Sequence, residues 1–311
     1  MRGAGGERGV ALVLVLWLAV VLGAVAAAVV GSARNESRVL LNARTRTVGR
    51  YAAESGIVAG VALLQQRMGS AYSPAQQVLA MSAVERDFAD LGEVRLGNAL
   101  FGVTLTNLSA RVDLNEADPE TVMGLLSQFT SSGAARAVGD ALLDYRDADD
   151  LVRPQGAEKE DYQRAGSPYV PRNGMLTRLD EFRRIQGVSD ALARSVAPYI
   201  TVNGSLRIDV NAAPEPVLAA IPGVGPGGAR KLIARRSDGP FTSVGEVQAL
   251  LRGANASSPA VQLPQFAVVP SRLLLTSRGW VSGHPLTHEI QAVYAVTRRQ
   301  LTLQSWRERD L

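Results

Sequence analysis

From Val10 to Ala33 the chain carries no charged residue, in the run VALVLVLWLAVVLGAVAAAVVGSA. A helix rising about 1.5 Å per residue needs roughly 20 apolar residues to cross the hydrocarbon of a bilayer, so this run is long enough to span one. Arg2 and Arg8 precede it, which by the positive-inside bias leaves a short N-terminus in the cytoplasm and the remainder outside. Arg34, Arg38, Arg44, Arg46 and Arg50 follow it and oppose that orientation. A short leading flank joined to a long translocated domain tolerates the conflict. Three readings fit such a run: a plain anchor, a secretory signal cut near Gly31-Ser32-Ala33, or a leader cut on the cytoplasmic side at Gly9–Val10, after Glu7-Arg8.

The residues that follow separate these readings. Between Arg34 and Gln66 there is no proline, and Leu41, Val48, Ala52, Ala59 and Ala62 recur at helical intervals. A cleavable signal should give way to unrelated mature sequence, whereas here one helix continues out of the apolar run. The absence of cysteine excludes a disulfide framework, thiolate zinc sites and a cysteine nucleophile. A formal charge of +4 with a pI near 9.7 permits contact with anionic lipid or nucleic acid without demanding it.

Beyond the helix, Pro74 to Leu91 reads as a further helix. Glu93 to Leu96 and Leu100 to Asn107 read as strands about the turn Gly97-Asn98, with Phe101, Val103 and Leu105 alternating onto one face. Leu273–Ser277, His288–Val296 and Gln300–Trp306 read as three more strands. A helical middle, from Asp113 to Pro264, separates the two sets and contains internal repeats. Asp113-Leu-Asn115-Glu-Ala117 matches Asp209-Val-Asn211-Ala-Ala213, each followed by a proline and glutamate suited to a first helical turn. Gly174-Met-Leu-Thr177-Arg-Leu-Asp-Glu181 matches Gly239-Pro-Phe-Thr242-Ser-Val-Gly-Glu246, and Thr177…Asp180 and Ser243…Glu246 have the spacing of capping boxes.

The stem RNESRVLLNARTRTVGRYAAESGIVAGVALLQQ, the run Asp144-Tyr-Arg-Asp-Ala-Asp-Asp, Gly156-Ala157-Glu158, Asn173-Gly174 and Leu179-Asp180-Glu181 resemble the protein K family of general secretion pathways, minor pseudopilins of type II secretion systems. The resemblance covers nearly the whole chain. It implies an α+β fold: a long N-terminal transmembrane and stem helix, a pilin-like antiparallel sheet, and a large inserted all-α domain with helix-hairpin-helix-like repeats. The corresponding divisions are a prepilin leader at 1–9, a membrane helix at 10–33 and a periplasmic stem at 34–68. The first part of the head follows at 69–112, the inserted domain at 113–264 and the closing strands at 265–311. Prepilin peptidase would cut between Gly9 and Val10. Most pilins carry a glutamate five residues into the mature chain, where it neutralises a neighbour's N-terminus; here that position is Leu14, a departure shared by the K family. The resemblance further implies a single-pass protein of the bacterial inner membrane with its head in the periplasm. It would cap the pseudopilus tip and help initiate assembly, with minor pseudopilins I and J, the major pseudopilin, the inner-membrane assembly platform and secreted exoproteins as partners.

Two motifs point to ligands. Ile221-Pro222-Gly223-Val224-Gly225, with Arg230, Lys231, Arg235 and Arg236 after it, has the form of a helix-hairpin-helix, whose glycines Gly223 and Gly225 permit a tight turn able to hold a phosphate. Membrane-anchored DNA-uptake receptors use such hairpins, so a DNA receptor is the alternative to a purely structural hairpin. Those receptors are short and lack the flanking strands, which makes nucleic acid the weaker reading. A degenerate copy stands at Ile185-Gln186-Gly187-Val188. The second motif is the acidic stretch Asp147, Asp149, Asp150, Glu158, Glu160 and Asp161, around Pro154 and Gly156. It suits Ca²⁺, which accepts irregular shells of oxygens, and K-family heads bind calcium; Asp147, Asp149, Glu158 and Asp161 are the expected ligands. It fits no EF-hand template. There is no Walker pattern and no Gly-x-Ser-x-Gly elbow, and His284 and His288 read as residues of a strand surface, so a binding and assembly protein is expected rather than an enzyme.

Overall fold

The computed structural model describes residues 6–69, 71, 73–252, 266–297 and 300–311. Part of the expected leader, at 1–5, and the expected boundary at 264/265 lie outside the described residues. Helix α1 (Gly6–Gly69) runs unbroken from the apolar segment into the head, as the proline-free sequence predicts. Its apolar part is long enough to cross a membrane, and from Leu12 to Ser32 its side chains are exposed. Helix α2 (Pro74–Asp90) starts at a reciprocal cap: Gln76 N donates to Ser73 Oγ at 3.2 Å and Ser73 N to Gln76 Oε1 at 2.9 Å.

Strands β1 (Glu93–Leu96) and β2 (Ala99–Asn107) form a hairpin. A 3-10 turn and the two-residue β3 (Val112–Asp113) lead to α3 (Pro119–Leu126), α4 (Ser132–Arg146) and α5 (Lys159–Arg164). Next come α6 (Asp190–Val196), β4 (Ile200–Thr201), β5 (Ile208–Asp209), α7 (Glu215–Ala220), α8 (Gly225–Ser237), α9 (Val244–Arg252) and β6 (Phe266–Ala267). The chain closes with β7 (Arg272–Val281), β8 (Thr287–Thr297) and β9 (Gln300–Asp310). The main sheet is antiparallel in the order β1-β2-β7-β8-β9. Its two halves, far apart in sequence, meet at β2 and β7, where Asn107 stands opposite Leu273. Residues between these strands therefore leave and re-enter at one neck. Ser109, fully buried there, accepts the Ser271 and Arg272 N–H groups at 3.0 and 3.1 Å.

The middle is not purely helical, contrary to the all-α expectation. β3 pairs with β4, and β5 with β6, as two-residue parallel ladders. Each ladder closes one repeat on itself, and two residues are too short for an alternating pattern to reveal them. The middle has its own apolar core, built from Leu125, Leu142, Tyr162, Phe182, Leu218, Leu232 and Phe241 among others.

The stem lies on the sheet through only part of the predicted stripe, Ala52 and half-buried Val48, and otherwise through glycine, Ala53, Ile57 and Leu64. Ala52, Ala53, Ile57 and Leu64 are buried, whereas Leu41, Ala59 and Ala62 face outward. Contact with β7 is backbone-close: a Cβ at Gly279 would overlap the Gly49 carbonyl oxygen and the Ala53 amide nitrogen, and one at Gly56 would overlap Ser277 Oγ. Hydrophobicity alone hides such a face, because glycine marks it by absence of bulk. At its border Arg50 pairs with Glu308 at 3.2 Å and Arg46 with Asp310 at 3.6 Å. His288, expected on a strand surface, is only partly exposed. Its side chain is 12% exposed, with Nδ1 2.8 Å from Asp310 Oδ1.

Candidate functional site

The repeated Asp-x-Asn sequence builds the same clip twice. Asp113 Oδ1 accepts the Asn115 N–H at 2.7 Å, and Asp209 Oδ1 accepts the Asn211 N–H at 3.1 Å. Each asparagine then crosslinks distant backbone. Asn115 donates to the Leu176 and Val202 carbonyls at 2.9 and 3.0 Å and accepts the Leu176 N–H at 2.8 Å. Asn211 donates to the Phe241 and Val268 carbonyls at 3.0 and 2.8 Å and accepts the Phe241 N–H at 2.8 Å. An arginine completes each clip: Arg146 donates to the carbonyls of Leu114 and Ala117, and Arg236 to those of Val210 and Ala213.

A second signal repeats with them. Thr242 Oγ1 donates to Glu246 Oε1 at 2.5 Å, and Thr177 Oγ1 to Glu181 Oε1 at 2.6 Å. The Ser243…Glu246 cap forms, with Glu246 N donating to Ser243 Oγ at 3.3 Å. In the first repeat Glu181, not Asp180, does the work, because it also takes the Thr177 and Arg178 N–H groups at 3.0 Å while Asp180 points out to Arg178 Nε at 2.8 Å.

Gly223 and Gly225 hold φ of 82° and 60°, the left-handed region that glycine enters without strain, and so turn α7 into α8. Three of the four expected basic residues are already engaged. Arg230 lies 3.4 Å from Glu215, Arg235 lies 3.5 Å from Glu246 and over the Phe241 ring, and Arg236 is held by backbone carbonyls. The degenerate copy at Ile185–Val188 connects a 3-10 helix at Leu179–Arg184 to α6, with Gly187 at φ 85°.

The acidic loop gathers around a residue that spacing reasoning passed over. Asp144, on the last turn of α4, is fully buried and binds Arg153 Nη1 through Oδ1 at 2.6 Å; the same nitrogen reaches Asp147 Oδ2 at 2.5 Å. Gly156 is required beside it, since a Cβ there would overlap Asp144 Oδ2. The available signal was the three-residue step from Asp144 to Asp147, which puts both on one helical face. Glu158 is 4% exposed, and among the described residues neither of its carboxylate oxygens, nor Oδ1 of Asp147, has a hydrogen-bond partner. Burial, with Asp144, Asp147, Asp150 and Asp149 nearby, pushes the Glu158 carboxyl up to about 7.

The four expected ligands divide. Asp147 and Glu158 belong to this cluster. Asp149 Oδ1 accepts the Leu151 N–H at 2.9 Å at the rim, and Asp161 is occupied by the Glu158 N–H at 3.1 Å and by Arg164 at 2.7 Å. Among the described residues no three acidic or histidine side chains converge closely enough to form a ready metal shell. Arg153 supplies one positive charge to these carboxylates, through Asp144 and Asp147.

Residues 103–205 and 208–268, together more than half of the chain, match two family models, each described as type II secretion system (T2SS), protein K. The two matches divide where the two clips divide. The chain is 37% identical over 73 residues to the type II secretion system protein K of Aeromonas hydrophila, covering 23% of this chain and 22% of that one. It is 29% identical over 87 residues to a protein K relative of Escherichia coli K12, covering 28% of this chain and 27% of that one. The matched stretches thus span about a quarter of these relatives. A crystal structure of the GspK-GspI-GspJ complex from the type 2 secretion system of enterotoxigenic Escherichia coli contains a chain of like fold. That likeness has a TM-score of 0.55 at 16% identity and covers 75% of this chain and 96% of that one.

Proposed function

Because the chain belongs to the type II secretion system protein K family, we propose that it acts as a minor pseudopilin at the tip of a pseudopilus. The observation that carries this reading is the union of two protein K units with one stem. Both units enter and leave through a single neck between β2 and β7, on a sheet packed against the continuation of an apolar helix. In this reading α1 anchors the chain in the inner membrane with the head in the periplasm, after prepilin peptidase has cut between Gly9 and Val10. The inserted units add bulk beside the sheet and block a further subunit above, so the chain caps the filament and helps initiate it. Minor pseudopilins I and J pack alongside, as in the similar complex, with the major pseudopilin below, the assembly platform at the membrane and exoproteins above. Leu14 in place of a membrane-buried carboxylate suits a subunit with no neighbour stacked beyond it.

Calcium belongs to the same proposal. Asp144, Asp147 and Glu158 would hold it, with Asp149 at the rim. A bound divalent cation would neutralise carboxylates that otherwise repel one another beneath the surface. We read the hairpin as structural and the chain as a non-enzymatic assembly protein, since Arg230, Arg235 and Arg236 serve the fold. The DNA-receptor alternative requires duplex binding tighter than ordinary non-specific attraction, about 10⁻⁴ to 10⁻⁶ M at physiological salt.

Co-expression of the full chain with prepilin peptidase, followed by N-terminal sequencing, tests the central claim. The mature chain should begin at Val10. A start near Arg34 would establish a secretory signal and overturn the pseudopilin reading.

A further inference from the structure

The face of the sheet turned away from α1 is open and carries an unbalanced positive groove. One end is a cavity of about 370 Å³ between the sheet and the inserted units, lined by Arg111, Arg178, Arg307 and Arg309 over an apolar floor that includes Leu274 and Val293. Gln291 and Arg309 also line a second cavity of about 560 Å³, which continues along the sheet past Arg278 to Trp280. The two cavities together present five arginines against three carboxylates, Asp180, Glu289 and Glu93, an excess of two positive charges.

The excess can be assigned to residues. Arg178 is paired with Asp180, and Glu289, 1% exposed, is shared by Arg278 and Arg309 at 2.8 and 2.6 Å. Among the described residues Arg307 reaches only the Thr177 carbonyl. Arg111 has no hydrogen bond or ion pair from its guanidinium among the described residues, although it is half-buried. Burial lowers its pKa, and no carboxylate offsets that effect. A desolvated cation without a counter-charge is costly and is normally met by one. Guanidinium groups grip carboxylates through paired N–H donors.

We propose that this groove binds an extended acidic segment of a partner polypeptide, Arg111 and Arg307 holding a carboxylate while Leu274 and Val293 seat an apolar neighbour. The occupant is a polypeptide rather than a small anion because the apolar floor and the second cavity, ending at the Trp280 ring, continue the site along the strands.

The test uses the full chain in detergent micelles and a fluorescein-labelled peptide alternating Glu and Leu, read by anisotropy, with a Gln/Leu peptide as its neutral match. The Glu/Leu peptide should bind at least tenfold more tightly than the Gln/Leu peptide. Arg111→Met and Arg307→Gln should each weaken it at least tenfold, and Arg136→Gln, a surface cation on α4, should leave it unchanged. If Arg111→Met lowers the melting temperature, the exposed Arg307→Gln carries the test alone. Equal binding of the two peptides, or insensitivity to Arg307→Gln, overturns the proposal. Displacement of the peptide by equimolar inorganic phosphate would make this a small-anion site and also overturns it.

Discussion

Replacing Asn211 by alanine removes three hydrogen bonds at once, to the Phe241 carbonyl, the Val268 carbonyl and the Phe241 N–H. Each such bond contributes about 1 kcal/mol net, and a buried group left unpaired costs about 1–3 kcal/mol. Asn211 is only half-buried, so water should reach part of the gap, and the lower figure per bond applies. The expected loss is about 3 kcal/mol, or roughly 6–12 °C in melting temperature for a domain of this size. The assay is thermal unfolding of the full chain in detergent, with hydrogen exchange at the Phe241 amide as a local readout. Asn211→Asp separates hydrogen bonding from packing. It keeps the shape and the acceptor but sets a carboxylate against two carbonyl oxygens, so it should cost at least as much as alanine. Asn115→Ala, the equivalent change in the first repeat, should cost a similar amount. A loss below about 1 kcal/mol for Asn211→Ala, or a neutral Asn211→Asp, would refute the view that these clips hold the repeats together.

Gly279→Ala should destabilise the head by at least the 1–3 kcal/mol typical of overpacking, since its Cβ would meet backbone of α1 that has no rotamer to yield; protease sensitivity at the stem should rise with it. Calcium should raise the melting temperature by binding the folded state, an effect lost with chelator and in Asp144→Asn; unchanged melting in calcium and chelator would reject the site. Stability should also depend on pH through Asp209, whose carboxyl burial pushes up to about 6 from an ordinary 3.8. A raised folded pKa means the native state holds more protons between those values, so this contribution is full below about 4 and is lost as pH rises through 6. Melting curves across that window should flatten in Asp209→Asn.

Local chemistry made much of this protein legible in its sequence. The apolar run without charge, the proline-free stem, the alternating strands and the Asp-x-Asn repeats each carry their structural consequence within a few residues, because span length, helical continuity, pleat and side-chain-to-backbone capping are short-range effects. Tertiary structure alone decided which distant groups meet. Spacing could not show that glycines form the stem's contact face, since the sheet's close approach exists only once β2 and β7 pair across the insertion. Nor could it show that Asp144 joins Asp147 near the Glu158 carboxylate while Asp161 is taken up by the Glu158 N–H and Arg164, because that depends on where the loop folds back over the end of α4. Arg111 is the clearest case. It is an ordinary arginine until the inserted units pack beside the sheet and half-bury it in a cavity with no ion-pair partner among the described residues.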